Sequence, residues 1–178
     1  MTEFDNQKLT TLHMKKIALL LILSLPFSCF SQTCFKIGAL STYSNEKVSF
    51  GGEIGAYGTI GKKFTLGPTA QVIKFTNLKG IYVPVALSMG YMITSSLQLH
   101  TDHGYSMYNK NESIAGESVQ ITGSYFTGSG LKYNFGKENG LYLNLQYSLY
   151  NYRTKISGKT YKSNSDAVAF TIGWMIKE

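Results

Sequence analysis

The sequence predicts an all-β protein: an eight-stranded antiparallel up-and-down transmembrane β-barrel, preceded by a cleavable signal peptide. Three observations carry that prediction. Apolar and polar residues alternate with period two along most of the chain. Charge is scarce inside the alternating segments and gathers between them. A basic front end followed by an apolar run opens the chain. Composition narrows the field further. The 178 residues are 43% hydrophobic and 15% charged with a net charge of +7, against about 25% charge in ordinary soluble domains. That excludes a disordered tail, a collagen repeat and a disulfide-stapled mini-protein. No apolar run reaches the roughly 18–20 residues that a spanning helix needs.

The first element is an address. Met14 to Ser31 reads MKKIALLLILSLPFSCFS: Lys15 and Lys16, an apolar core from Ile17 to Leu25, then compact residues at Cys29 and Ser31. This is the layout of a secretory signal peptide, so residues 1–31 are expected to be an extension and leader, with Met14 as the true start. A cut after Ser31 leaves 32–178 as one barrel domain. It also leaves Cys34 as its single cysteine, so no internal disulfide is expected. Lipidation of Cys29 is disfavoured because Pro26 stands where lipoprotein signals carry Leu.

Eight segments follow: 35–43, 48–60, 64–75, 80–93, 97–108, 119–135, 141–152 and 167–176. In the second, Val48, Phe50, Ile54 and Ile60 alternate with Ser49, Gly51, Glu53, Tyr57 and Thr59. In the fourth, Ile81, Val83, Val85, Leu87, Met89, Tyr91 and Ile93 form the apolar set. The seventh runs Leu141, Leu143, Leu145, Tyr147, Leu149, and the eighth Val168, Phe170, Ile172, Trp174, Ile176. Turn formers separate them, as at Ser44-Asn45-Glu46 and Gly61-Lys62-Lys63. Hairpin-length links between consecutive strands make an up-and-down meander. Pro68 and Pro84 each remove a ladder donor, so local bulges are expected there.

Alternation alone fits a soluble sandwich or a lipid-facing barrel, and charge placement chooses between them. Inside the segments the only charges are Lys36, Glu53, Lys74, Asp102 and Lys132. A soluble sheet needs charge on its watered face. Here the polar face is mostly Gly, Ser, Thr, Gln, Asn and Tyr, a composition suited to a crowded lumen. Lys74 stands on the apolar face near a strand end, where it can snorkel. Phe35, Phe64, Tyr91, Tyr133, Phe135 and Trp174 gather near one set of strand ends, as an interfacial girdle would.

Signal peptide, eight strands, short inner turns and an amphipathic last strand together resemble the small outer-membrane β-barrels of the OmpA and OmpX type, porin-like proteins of the Gram-negative envelope. The resemblance covers 32–178. Thr171-x-Gly173-x-x-Ile176 is similar to the signal read by the barrel-assembly machinery, although Glu178 stands where that signal ends in an aromatic residue. The resemblance implies a non-enzymatic outer-membrane protein, monomeric and without a cofactor. Its role would lie in envelope integrity or surface contact through extracellular loops 109–118 and 153–166. Two alternatives accompany it: a lipid-modifying barrel enzyme of acyltransferase or deacylase type, and a soluble exported lipid-binding barrel.

Candidate chemistry is sparse. Register places Lys36 and Glu53 as diagonal inward neighbours and thus as a lumen ion pair, since a buried charge needs a partner. His100, Asp102 and Ser106 invite a hydrolase reading. Parity turns those three inward and His103 outward, so no triad converges. His100 and Asp102 alone are too few ligands for a metal. Arg153, Lys155, Lys159 and Lys162 make the last outer loop basic, suited to lipopolysaccharide phosphates. Nucleic acid is excluded as a partner, because the positive charge is dispersed. Gly123 to Gly130 sits mid-strand and is no phosphate loop.

Overall fold

A computed structural model describes residues 32–76, 81–114, 117–136 and 139–177. The leader expected over 1–31, with Met14 and Cys29, lies outside the described residues. Nine strands follow in order: β1 (Gln32–Ser44), β2 (Lys47–Ile60), β3 (Phe64–Lys74), β4 (Val83–Met92), β5 (Leu97–Met107), β6 (Asn109–Ile114), β7 (Glu117–Asn134), β8 (Gly140–Ile156) and β9 (Lys159–Lys177). β6 continues β5 beyond Tyr108, and both pair with β7. The two therefore form one stave, and the barrel has eight.

Every neighbouring pair is antiparallel, and β1 closes the sheet by pairing with both β2 and β9. The register is staggered. A path of paired residues from Met175 runs through Lys36, Gly55, Thr69, Ala86, Gly104, Phe126 and Tyr150, and returns to β9 at Ser165, ten residues from its start. Such a stagger forces the strands to tilt, and eight tilted strands enclose a space just wide enough for side chains.

Burial follows the alternation with its usual sense reversed. Ile37, Phe50, Ile54, Leu145 and Trp174 are exposed, while Gln71, Asp102, Gln146, Ser148 and Thr171 are at most 1% exposed. The greasy side chains point away from the axis, as a lipid-facing wall requires. Phe35, Phe64, Tyr91, Tyr133, Phe135 and Trp174 are all exposed near the end of the barrel where β1 begins and β9 finishes. Two neighbouring pairs in this girdle meet edge to face, Phe64 with Tyr91 at 5.2 Å and Tyr133 with Phe135 at 4.9 Å.

Three sequence expectations need correction. The prolines cause no bulge. The β2–β3 ladder lapses between Gly55–Thr69 and Gly58–Leu66, and the β3–β4 ladder lapses between Ala70–Val85 and the bridge Ile73–Tyr82, with the same register on either side. Each proline deletes one donor, and the flanking bonds hold the strands in place. The register shift lies instead on β7, between Gly123 and Phe126.

The second and third corrections concern the two expected loops, 109–118 and 153–166, because 109–114, 117–118, 153–156 and 159–166 are strand. β6 pairs with the first part of β7; residues 115–116 lie outside the described set. Arg153 to Ile156 pairs with Lys159 to Lys162 across a two-residue turn at Ser157 and Gly158, both with positive φ (47° and 83°). That turn geometry matches strand twist and extends a hairpin without a break. These segments stand outside the lipid band, so neither face has to be apolar and the alternation signal fades. The pairing does not depend on it.

Candidate functional site

Two places gather functional side chains: the middle of the lumen and the outward β8–β9 hairpin. In the lumen, Lys36 on β1 pairs with Gly55, and Glu53 on β2 pairs with Gly38, which makes the two charges diagonal neighbours. Lys36 Nζ lies 3.3 Å from Glu53 Oε2. Tyr142 Oη donates to the other carboxylate oxygen at 2.7 Å. Glycine makes room for that tyrosine: a Cβ on Gly38 would stand 2.6 Å from Tyr142 Oη.

A second network joins β5 to β8 across the intervening β7. His100 Nε2 lies 2.7 Å from Asn144 Oδ1, Asn144 Nδ2 donates to Gln146 Oε1 at 3.4 Å, and Gln146 Nε2 donates to Asp102 Oδ2 at 3.1 Å. His100 Nδ1 is 3.6 Å from Asp102 Oδ1. The glycines of β7 let this happen. Gly128 stands between Asp102 and Ser148, and Gly130 between His100 and Gln146. A Cβ on Gly130 would come within 2.9 Å of His100 Nε2, and one on Gly128 would collide with the Gln146 amide. Gly128 and Gly130 are therefore a shallow floor over which polar side chains of two other strands meet.

Ser106 does not join them. It sits four residues beyond Asp102, about 13 Å along the strand. There it is buried in an aromatic layer of Phe75, Tyr82, Tyr108, Phe126, Tyr150 and Tyr152. Tyr82 stands 5.3 Å from Tyr150, 5.5 Å from Tyr152 and 5.6 Å from Phe75, ring to ring. This layer fills the outward half of the lumen. His103 points to the lipid side, where Tyr125 Oη (2.6 Å), Thr101 Oγ1 (3.0 Å) and Thr127 Oγ1 (3.2 Å) surround its ring nitrogens. His100, Asp102, Ser106 and His103 thus occupy three different surroundings, and no nucleophile–base pair forms.

On the outward hairpin the four basic residues divide by face. Tyr150 and Tyr152 point inward, so Arg153 and Lys155 fall on the outer, lipid-side face; Lys162 joins them, directly opposite Arg153. Lys159 pairs with Ile156 and takes the other face. Below Arg153 and Lys162, a cleft of about 220 Å³ is flanked by Tyr125, Asn151 and Ser163. Sequence reasoning missed the aromatic layer. Phe75 and Tyr82 fall inside the expected third and fourth segments, but strand parity gives a residue's face and not which inward rings meet across the barrel.

Closed eight-stave topology, a lipid-facing exterior and a filled lumen are now in hand, and solved structures share the fold. The chain has the fold of a small outer-membrane β-barrel. Ail, the attachment invasion locus protein of Yersinia pestis, aligns over 83% of this chain and 98% of its own at 10% identity, with a TM-score of 0.51. The N-terminal β-barrel domain of Pseudomonas aeruginosa OprF aligns over 80% of this chain and 97% of its own at 16% identity, with a TM-score of 0.53. Ail has also been solved in complex with the heparin analogue sucrose octasulfate, and that structure matches with a TM-score of 0.52. No protein-family model matches the sequence, and no curated protein is similar to it. At these identities the barrel shares an architecture with its neighbours.

Proposed function

We propose that this chain is a non-enzymatic integral protein of the outer membrane, delivered by a cleaved signal and the barrel-assembly machinery. In this reading it supports envelope integrity by gripping lipopolysaccharide with its last outward hairpin. One observation carries the reading: Arg153 and Lys162 stand directly opposite each other, with Lys155 on the same face, just beyond the apolar band. Like charges in cross-strand register destabilise a hairpin. A bound polyanion reverses the sign of that interaction. Lipopolysaccharide phosphates lie at that depth and on that side, and guanidinium groups bind phosphate in a forked geometry. That Ail, which shares this fold, was solved in complex with the heparin analogue sucrose octasulfate supports the reading.

Two experiments test it. Fractionation with heat-modifiable gel mobility should place the folded protein in the detergent-soluble envelope; recovery in the soluble periplasmic fraction would overturn the location. Arg153→Ala/Lys162→Ala should weaken binding to lipopolysaccharide-containing nanodiscs but leave binding to zwitterionic ones unchanged. Equal effects on both would remove the hairpin from the mechanism.

A further inference from the structure

Among the described residues two lysines are buried in the lumen, and one of them has no carboxylate. Lys36 has Glu53. Lys132, on β7, is 5% exposed, and its ammonium rests on Tyr57, 2.9 Å from the hydroxyl and 4.2 Å from the ring centroid. No carboxylate among the described residues lies within ion-pair distance of it. Two residues further along the same inward face, Asn134 is 3% exposed and its Oδ1 has no hydrogen-bond partner. A buried cation without an anion and a buried acceptor without a donor are each costly. Here they are neighbours.

Both stand at the end of the barrel where β1 begins and β9 finishes, where a cavity of about 360 Å³ opens, within the range of small-molecule sites. Tyr57 and Asn134 line its floor, Lys62 and Lys63 stand at its rim, and no Asp or Glu among the described residues lines it. The Gln98 amide is already bonded to Thr65 Oγ1, so that part of the wall is fixed. Lys132 lies just behind Tyr57, and its field reaches the floor through a low-dielectric layer. The rim lysines raise the local concentration of anions.

We propose that this inner mouth binds a small carboxylate bearing a hydrogen-bond donor beside the anionic group. The carboxylate lies against Tyr57 in the field of Lys132, and the donor meets Asn134 Oδ1. An acylated amino acid has both groups at that spacing, and the cavity has room for its side chain.

The test is titration of the folded barrel in detergent micelles, followed by NMR, with N-acetylglycine as probe. Acetate lacks the donor, N-acetylglycinamide lacks the charge, and inorganic phosphate offers a different anion. Saturable shifts at Asn134 and Tyr57 with N-acetylglycine, weaker with acetate and absent with the amide, are expected. Asn134→Ala should weaken binding about tenfold, as loss of one buried hydrogen bond does. Lys132→Met should abolish it, and Lys62→Ala/Lys63→Ala should weaken it at low salt. If Lys132→Met does not fold, the Asn134 and rim variants decide. Equal binding of the amide, tighter binding of phosphate, or no response to the Asn134 and rim variants overturns the proposal, as does the absence of saturable shifts. Because the barrel is studied in micelles, this result is independent of where the protein resides in the cell.

Discussion

The lumen is filled in two ways, and the contrast shows what each half depends on. In its middle, Lys36, Glu53, Tyr142, His100, Asp102, Asn144 and Gln146 hold one another through named donors and acceptors. Nearer the outward end, Phe75, Tyr82, Phe126, Tyr150 and Tyr152 fit ring against ring. The hydroxyls of Tyr82 and Tyr150 face Ser106 and Ser148 without closing a hydrogen bond. One half is specified by chemistry, so removing a partner strands the group left behind. The other is specified by volume, so removing a polar atom changes little and removing a ring changes much.

The largest effect should come from breaking the ion pair. Lys36→Met leaves Glu53 buried without its cation and should cost about 3–5 kcal/mol, read by urea unfolding of the barrel in micelles. Lys36→Met/Glu53→Leu should recover most of that loss. If the single and double variants cost the same, the polar half is held by packing after all. Next, Tyr82→Ala should cost about 3 kcal/mol through lost ring contacts. It should also raise ion conductance in planar bilayers, because the aromatic layer is what closes the outward half. Unchanged conductance would locate the seal elsewhere.

A matched pair of smaller substitutions sharpens the comparison. Tyr142→Phe deletes the donor to Glu53 and should cost about 1.5–3 kcal/mol, as hydrogen bonds to charged groups do. Tyr150→Phe deletes a hydroxyl that closes no hydrogen bond and should cost less than about 1 kcal/mol. Reversal of that order in the same unfolding assay would contradict the division of the lumen.

The exterior was the most legible part of this protein. Strand positions, the sense of each face and the aromatic girdle follow from period two and from five in-strand charges. Lys36 and Glu53 could be placed together because they lie on consecutive strands joined by a tight turn. What could not be read involves longer range. His100 meets Asn144 only because Gly130 stands between their strands, and Lys132 meets Tyr57 across the barrel. The outward hairpins were misread as loops because, outside lipid, a strand needs no apolar face. Asn151, opposite the irregularity on β7, shares its cleft with Arg153 through a register shift that no local pattern announces.

The sequence by itself determined which side chains face lipid, because alternation is a property of one extended strand and each residue's face follows from its neighbours. The tertiary structure decided which inward side chains meet. That choice depends on the stagger accumulated over eight pairings, and a two-residue slip in any of them would keep every face and present each inward group to a different partner.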